Sequence, residues 1–324
     1  MDTSKCVPIV DFSGYGLHTE TPVESKLQTL ADEIHEAFVT IGFVHLKNVG
    51  IPLETIEQAF QVSKGFFSLG SSEKAKYKSG DWIKDSFHGY VPPDLEGLDT
   101  DYGQKDMKES FNLRPIIKET DSNEFPEIPD VPKMKASLVD LYQNCKVLHQ
   151  RILEIMAKGL RLKDTMALAS KCGHIGTKRN CTTLRTLYYP PFQSDAETED
   201  MPMRCGEHSD YGAITLLFQD TTGGLEVRSV DGRWIPVQHI PDTVLVNLGD
   251  LMQRWTSDVY RAAKHRVVFS PKTVNLSRQS IAFFGNPDDE AVIECLDGSN
   301  KYPPISALDY IIARTKKSFS IDDT

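Results

Sequence analysis

The sequence lacks the features that mark several classes of protein. No apolar run approaches the roughly 18 residues that a membrane-spanning helix needs, and no basic segment followed by an apolar run stands at the N-terminus. There is also no internal repeat and no low-complexity segment. We therefore expect a folded protein with no membrane association and a cytoplasmic location.

The chain has fewer basic than acidic residues. The 324 residues include 36 Lys and Arg against 46 Asp and Glu, which gives a formal net charge of −10. A negative mean field repels polyanions and therefore argues against nucleic acid as a partner. We predict a small-molecule substrate instead, and a monomer or weak homo-oligomer.

Cysteine is sparse and scattered, with no C-x-x-C pair and no dense framework of the kind that small secreted domains use. Reduced, mostly buried thiols are the expectation for the six residues Cys6, Cys145, Cys172, Cys181, Cys205 and Cys295. Cys205 lies three residues before a histidine, which raises the question whether it binds a metal. We do not expect it to, because a thiolate ligand favours zinc or cluster chemistry over a site of two histidines and one carboxylate.

Hydrophobic residues make up 40% of the chain and charged residues 25%, as in ordinary soluble enzymes. In the N-terminal part, Val7–Phe12 and Phe43–Leu46 are predicted as strands, and apolar spacing predicts helices over 24–40 and 56–67. Residues 70–105 are rich in Gly, Pro, Asp and Lys and predict surface loops over an active-site mouth. The longest helix is predicted at about 132–160, where apolar residues recur every three or four positions.

After residue 180 the pattern changes to short β-rich runs separated by turns. The predicted strands are Thr182–Tyr189, Ala213–Phe218, Leu225–Val230, Trp234–Val237, Thr243–Leu248, His265–Phe269, Ser280–Phe284 and Ala291–Cys295. Asp231-Gly232 predicts a type I′ hairpin turn, which needs positive φ at both residues. The fold class is therefore α+β, with a sandwich or jelly-roll core flanked by helices.

The most informative group of residues is His208, Asp210 and His265. Two imidazoles and one carboxylate can occupy one face of an octahedral Fe(II) and leave the other face open. If the backbone is extended from His208 to Asp210, alternation puts both side chains on one side. His18-Thr19-Glu20 has the same H-x-acid spacing in a polar stretch, and about one accidental match is expected in this composition. Hydrogen-bonded histidines without a metal remain the alternative at this point.

A second motif, Arg278-Gln279-Ser280, opens another predicted strand. Alternation puts Arg278 and Ser280 on one side, and a guanidinium beside a hydroxyl suits the distal carboxylate of a dicarboxylate. Taken alone, such a pair is more often a surface salt bridge. Next to three metal ligands it predicts a clamp for a cosubstrate.

These motifs, in this order, resemble the 2-oxoglutarate- and Fe(II)-dependent dioxygenases, in the branch similar to isopenicillin N synthase. The resemblance covers most of the chain and includes Asn48-Val49-Gly50-Ile51-Pro52, Arg185 to Pro191, Glu207 to Asp220, Asn247-Leu248-Gly249-Asp250, Arg254-Trp255-Thr256 and His265-Arg266-Val267.

The family resemblance implies a double-stranded β-helix, or jelly roll, as the core. It implies an N-terminal non-haem dioxygenase region at 1–115 packed on a catalytic region at 116–324, in one compact unit. It also implies that the enzyme uses Fe(II), 2-oxoglutarate and O2 to oxidise a small metabolite in specialised metabolism by hydroxylation, desaturation or ring closure, with release of succinate and CO2.

By the same resemblance His208, Asp210 and His265 bind iron, while Arg278, Ser280 and Tyr189 hold 2-oxoglutarate. Many relatives carry Asn two residues before this tyrosine, where Leu187 stands here, so an apolar wall replaces a polar contact. His88 stands where relatives often carry Arg. The residues expected to contact substrate are Phe111, Arg204, Phe284, His88 and Leu187, although ordinary core or loop packing is an equal alternative for them.

Two other functions share these residues. An oxidase of the isopenicillin N synthase or aminocyclopropanecarboxylate oxidase type uses the same iron ligands without 2-oxoglutarate, and it also carries Arg-x-Ser. A non-catalytic sensor of metal and oxo acid is the remote alternative, because a fold does not guarantee chemistry. Succinate formation separates the dioxygenase from the oxidase, and substrate-stimulated O2 uptake excludes the sensor.

Overall fold

A computed structural model of the chain describes residues 6–78, 88–93, 95, 106–114, 128–192, 203–269 and 272–318. The helices are α1 (Glu24–Thr40), α2 (Leu53–Phe67), α3 (Ser71–Ala75), α4 (Met134–Gly159), α5 (Asp250–Trp255) and α6 (Ala307–Ser318). The strands are β1 (Ile9–Asp11), β2 (Phe43–Lys47), β3 (Gly89–Val91), β4 (Glu109–Leu113), β5 (Thr183–Tyr189), β6 (Met203–His208), β7 (Ile214–Gln219), β8 (Leu225–Arg228), β9 (Trp234–Pro236), β10 (Thr243–Leu248), β11 (His265–Val268), β12 (Arg278–Gly285), β13 (Val292–Ile293) and β14 (Ile305–Ser306).

Two sheets form the core, as the predicted jelly roll requires. The large sheet has the order β1-β2-β10-β7-β12-β5-β4-β3 and the small sheet the order β6-β11-β8-β9. Every pair in them is antiparallel except β1 with β2. Apolar side chains from both sheets form one cluster, which includes Leu187, Cys205, Leu225, Leu245, Val267 and Ala282. The space between the sheets is therefore lined partly by packed apolar groups.

Helices α1, α2 and α4 cover the other face of the large sheet. The long helix α4 packs against α1, α2, β7 and β12, and its buried stripe runs from Met134 to Met156. This confirms the helix predicted at about 132–160. The helix predicted over 24–40 is α1, and α2 begins three residues before its predicted start because Pro52, with φ −60°, forms its N-cap.

The N-terminal strands belong to the same sheet as the C-terminal ones. β2 pairs with β10, and β4 pairs with β5, so the two halves of the chain share one hydrogen-bonded ladder. The predicted boundary between 115 and 116 lies outside the described residues, and the division into two regions stays a prediction.

The turn between β8 and β9 differs from its prediction. Arg228 pairs with Trp234, which leaves a five-residue connection, and of its residues only Gly232 has positive φ (85°). Asp231 instead accepts hydrogen bonds from Ser229 Oγ at 2.5 Å and Arg233 Nε at 2.6 Å. The hairpin is confirmed, but the type I′ turn is wrong, because the aspartate side chain organises a longer loop.

Much of the predicted loop region 70–105 lies outside the described residues. Within its described part, Ser71–Ala75 is a short helix and Gly89–Val91 is a strand at the edge of the large sheet. No helix in the described ranges is long and apolar enough to cross a membrane.

Candidate active site

A cavity lies between the two sheets and is lined by alternate residues of the central strands. From β5 it receives Thr183, Arg185, Leu187 and Tyr189, and from β12 it receives Arg278, Ser280, Ala282 and Phe284. The register pairs Tyr189 with Arg278 and Leu187 with Ser280. The predicted alternation in both strands is confirmed, since in a strand every second side chain shares a face.

His208, Asp210 and His265 meet at this cavity. His208 Nε2 lies 3.9 Å from Asp210 Oδ1, and His265 Nε2 lies 3.7 Å from the same oxygen. The two imidazole centroids are 4.2 Å apart. One ligand atom from each residue falls within 4.8 Å of the others, the only such group of three among the described residues. His18 and Cys205 are not part of it.

Backbone carbonyls set the tautomer of both imidazoles. His208 Nδ1 lies 2.8 Å from the Gly206 carbonyl oxygen, and His265 Nδ1 lies 3.1 Å from that of Ala263. A carbonyl oxygen only accepts hydrogen bonds, so Nδ1 carries the proton and donates it in each ring. Both Nε2 atoms therefore present a lone pair toward Asp210, which is the form that binds a metal.

Asp210 is held by two neutral donors. Thr215 Oγ1 donates to Asp210 Oδ2 at 2.5 Å, and Asn247 Nδ2 donates to the same oxygen at 2.6 Å. Oδ1 is thereby turned toward the imidazoles. Two imidazole nitrogens and one carboxylate oxygen form the donor set that suits a ferrous ion with open positions, so these residues fit Fe(II).

Burial and mutual interaction shift the pKa values of this group. Desolvation, followed by the nearby His265, lowers the pKa of His208 to about 3. Burial alone raises the pKa of Asp210, but the two imidazoles and the bonds from Thr215 and Asn247 together hold it below its ordinary value. The site thus keeps a neutral imidazole beside a carboxylate, as metal binding requires.

Asp210 lies in the connection between the two sheets. His208 is the last residue of β6 in the small sheet, whereas β7, which follows Asp210, belongs to the large sheet. The chain therefore crosses between the sheets within residues 209–213. Hydrogen bonds from Thr215 and Asn247 in the large sheet orient Asp210 in this connection.

Arg278 lies at the other end of the cavity. Its Nη1 donates to Ser280 Oγ at 3.2 Å and its Nη2 to Gln219 Oε1 at 3.2 Å. Its guanidinium carbon lies 5.0 Å from the centre of the Tyr189 ring, and burial raises the pKa of the Tyr189 hydroxyl. Arg278 is only 1% exposed and forms no ion pair with any residue that the structure describes. The predicted clamp residues are brought together here.

A third part of the wall combines an arginine with aromatic rings. Arg185 Nε donates to Asn112 Oδ1 at 2.6 Å, and its guanidinium lies 5.7 Å from the centre of the Phe284 ring. Leu187 lies between this part and the Arg278 end. Of the residues predicted to contact substrate, Phe284 and Leu187 therefore reach the cavity.

The other three do not line it. Phe111 points to the helix side of the sheet, where its ring centre lies 5.0 Å from that of Phe66. Arg204 is stacked on Phe269 at 4.4 Å and donates to the carbonyl oxygen of Thr273 at 3.1 Å. His88 packs edge-on against Phe111. Residues 108, 110 and 112 of the β4 segment share the inner face, so Phe111 must face outward.

Several lining residues had no role predicted from the sequence. They are Lys108, Asn112, Tyr211, Thr215, Asn247, Ile311 and Thr315. Ile311 and Thr315 come from α6, whose Arg314 pairs with Asp250 at 2.8 Å and stacks over Tyr211 at 4.9 Å. A helix more than forty residues after His265 has no sequence feature that links it to the metal ligands. Tyr211, Thr215 and Asn247 do lie within motifs of the family resemblance, and those motifs were the available signal.

Comparison with known proteins gives matches over most of the chain. Residues 180–287 match the 2OG-Fe(II) oxygenase superfamily, and residues 7–133 match the region described as non-haem dioxygenase in morphine synthesis N-terminal. The proline hydroxylase buaE of Petromyces alliaceus is 33% identical over 84% of this chain and 85% of its own length. The 2-oxoglutarate-Fe(II) type oxidoreductase ppzD of Metarhizium rileyi is 31% identical over 86% and 82%.

Solved structures give the same result. A full-length Neurospora crassa protein in complex with alpha-KG superposes with a TM-score of 0.84 and 31% identity, over 97% of each chain. The complex of the same Neurospora crassa protein with alpha-KG and thymine also has a TM-score of 0.84, with 30% identity over 97% of this chain and 98% of that one. This chain therefore resembles the Neurospora crassa protein in both fold and sequence.

Proposed function

The chain belongs to the 2OG-Fe(II) oxygenase superfamily, and on that premise we propose which residues carry its reaction and what it oxidises. The protein is a 2-oxoglutarate-dependent dioxygenase with Fe(II) and 2-oxoglutarate as its cofactors. We assign the metal to His208, Asp210 and His265, and the oxo acid to Arg278, Ser280 and Tyr189.

The observation that carries the assignment of the oxo-acid site is the buried guanidinium of Arg278. A charge removed from water is costly unless it is paired, and Arg278 has no carboxylate partner within the described residues. Its hydrogen bonds go to the hydroxyl of Ser280 and the amide of Gln219, both neutral groups. A dicarboxylate that entered the cavity would supply the missing negative charge.

The side chains that we assign to Fe(II) are already held in the orientation that binds a metal. One Nε2 atom from each imidazole and one carboxylate oxygen lie within 4.8 Å of one another, and the hydrogen bonds from Nδ1 to backbone carbonyls fix the ring orientations. When bound, Fe(II) with 2-oxoglutarate supplies O2 activation, in which the oxo acid becomes succinate and CO2 and a C–H bond of the substrate is oxidised. Leu187, Leu217 and Val267 give the cavity apolar walls that limit water.

We propose a small heterocycle with carbonyl oxygens as the substrate. Phe284 and Tyr211 bring aromatic rings to the cavity, and Arg185 and Asn112 bring groups that donate hydrogen bonds. The structural relative from Neurospora crassa was crystallised with thymine and with 5-formyluracil. A flat ring beside Phe284, with a carbonyl oxygen facing Arg185, uses both kinds of group.

The experiment combines anaerobic binding with a turnover screen. Fe(II) and then 2-oxoglutarate are added without O2, and the visible charge-transfer absorption of the chelate is recorded. We expect the band in the wild type, its loss in His208→Ala, and a shift of its 2-oxoglutarate midpoint to at least about tenfold higher concentration in Arg278→Met. A band of unchanged intensity in His208→Ala would contradict the metal assignment.

Turnover then tests the substrate class. Succinate release is measured with thymine, 5-formyluracil and free L-proline, the last because one relative is named a proline hydroxylase. Stimulation by the pyrimidines and not by proline supports the proposal. Stimulation by proline alone overturns the substrate class but leaves the iron and oxo-acid assignments standing.

A further inference from the structure

The strand β6 contains a bulge immediately before His208. Cys205 and His208 both line the cavity although they lie three positions apart, and in a regular strand an odd separation puts side chains on opposite faces. Cys205 pairs with Val267 of β11. His208 pairs with His265, which lies only two positions from Val267. One extra residue on β6 therefore turns His208 into the cavity.

Gly206 lies in this bulge and connects Asp106 to His208. The Gly206 N–H donates to Asp106 Oδ1 at 3.0 Å, and the Gly206 carbonyl oxygen accepts the hydrogen bond from His208 Nδ1 at 2.8 Å. Gly206 is buried, and β6 is an edge strand of the small sheet. A bulge disrupts the ladder of hydrogen bonds, and a buried N–H without a partner is costly. The Asp106 carboxylate therefore stabilises the bulge.

An ion pair holds Asp106 in place. Its second oxygen, Oδ2, accepts a hydrogen bond from Lys108 Nζ at 2.6 Å, and the two residues are only 3% and 4% exposed. The pair as a whole is neutral, which allows the carboxylate to stay buried beside β6. Residues 106–108 lead directly into β4 of the large sheet. Asp106 thus ties the bulge of the small sheet to a strand of the large one.

We propose that Asp106 is a positioning residue for the iron ligand His208, acting through the bulge at Gly206. This inference rests on the proposed metal site and adds a residue to it. The bond from Asp106 fixes the backbone of Gly206, and the fixed carbonyl oxygen holds the Nδ1–H of His208. His208 Nε2 is thereby directed toward Asp210 Oδ1, at 3.9 Å. Loss of the bond frees the bulge to shift, and the imidazole then loses its fixed direction.

The test compares two double variants that differ in one hydrogen-bond acceptor. Both replace Lys108 by Met, so that neither leaves an unpaired buried charge. Asp106→Asn/Lys108→Met keeps a carbonyl oxygen for the Gly206 N–H, whereas Asp106→Leu/Lys108→Met removes it. Mn(II) affinity is measured by calorimetry at fixed pH without 2-oxoglutarate. The visible spectrum of Co(II)-loaded protein is recorded as well, because it reports the geometry of the ligands around the ion.

We expect the Kd for Mn(II) of Asp106→Leu/Lys108→Met to rise by about 10- to 100-fold, the usual cost of losing a group that orients a metal ligand. Its Co(II) spectrum should differ from that of the wild type. The Kd of Asp106→Asn/Lys108→Met should stay within about threefold of the wild type, because an amide oxygen accepts the same bond. The Co(II) spectrum of this variant should match that of the wild type.

Equal Mn(II) affinities in the two double variants would overturn the proposal. If both bind like the wild type, the metal site does not need the acceptor at Gly206. If both are weakened alike, the ion pair matters through packing and not through this bond. Asp106→Ala/Lys108→Met also removes the acceptor, with a smaller side chain, and it is measured in parallel in case the leucine variant does not fold.

The same titration distinguishes failure of this inference from failure of the proposed function. His208→Ala should lose most of the Mn(II) affinity, since it removes one of the three assigned ligands. Wild-type affinity in His208→Ala would show that the metal site itself is misplaced. If His208→Ala behaves as expected and the two double variants bind alike, only the role of Asp106 is excluded.

Discussion

Asn247 donates its amide to Asp210 Oδ2 at 2.6 Å, and this bond joins β10 to the loop that carries the carboxylate ligand. Both residues are buried, at 2% and 8% exposure. The bond leaves Oδ1 to face the two imidazoles. Asn247 therefore orients the carboxylate that we assign to the metal.

We expect Asn247→Leu to weaken metal binding by about 10- to 100-fold, because loss of a group that orients a ligand costs affinity of this order. Mn(II) affinity, measured by calorimetry at fixed pH, checks this. Asn144→Leu is the matched control, since among the described residues Asn144 donates hydrogen bonds only to exposed Asp140 on α4. Wild-type Mn(II) affinity in a folded Asn247→Leu protein would show that Thr215 alone suffices.

The residues of α6 that line the cavity predict an effect on the KM for substrate without an effect on the Kd for 2-oxoglutarate. Ile311 is buried and lines the cavity, whereas Asp309 on the same helix is exposed. Ile311→Ala should raise the KM for the substrate found in the screen by about tenfold, a typical cost of lost apolar contact in a pocket. The Kd for 2-oxoglutarate and the behaviour of Asp309→Ala should stay as in the wild type. A proportional loss for the oxo acid would place α6 at the wrong end of the cavity.

Phe111 and Phe284 give a matched pair on opposite faces of the large sheet. Phe111 is 1% exposed and packs on Phe66, so Phe111→Ala should lower the free energy of unfolding by about 3–5 kcal/mol. Its KM for substrate, corrected for the folded fraction, should not change. Phe284→Ala should show the reverse pattern, with a raised KM and a smaller loss of stability. Urea unfolding measures the loss of stability in both variants, and steady-state kinetics measures their KM for substrate. Equal effects on KM in the two variants would contradict their placement on opposite faces of the sheet.

His149 predicts a dependence of stability on pH. It is fully buried on α4, neither ring nitrogen has a hydrogen-bond partner among the described residues, and burial lowers its pKa to about 3. The unfolded chain binds a proton near pH 6.5 and the folded chain does not. Stability is therefore lost as the pH falls below about 6.5, at about 1.4 kcal/mol per pH unit from this residue, down to the folded pKa.

The measurement is urea unfolding at several pH values between about 7.5 and 5, a range that spans the unfolded pKa of histidine. His149→Leu should have a shallower loss of stability with falling pH than the wild type, because the unfavourable protonation no longer opposes folding. His18→Gln, a change at a loop histidine, serves as the control and should keep the wild-type slope. Parallel curves for the wild type and His149→Leu would remove His149 as a source of acid sensitivity.

The long helix and most strands could be predicted from the sequence, since the spacing of apolar residues reflects which face each element buries. Met134–Gly159 and Thr183–Tyr189 agree closely with their predictions. The strand Met203–His208 is absent from the predicted set. Its sequence carries no simple apolar alternation, and the backbone N–H of Gly206 within it is bonded to Asp106, which comes from a distant segment.

Local patterns in the sequence were enough to predict the kinds of candidate ligand and their order: an H-x-D motif, a later histidine, and Arg-x-Ser at the start of a strand. These are local patterns. Strand alternation was enough to place Arg278 and Ser280 on one face of their strand, and Leu187 and Tyr189 on one face of theirs. The fold was needed to show that Thr215 and Asn247 orient the carboxylate of Asp210, that three predicted substrate contacts lie outside the cavity wall, and that Lys108 and α6 reach the cavity. These contacts depend on which strands become neighbours in the two sheets. The free energy that selects this pairing is a sum over the whole core, so no single local motif predicts it.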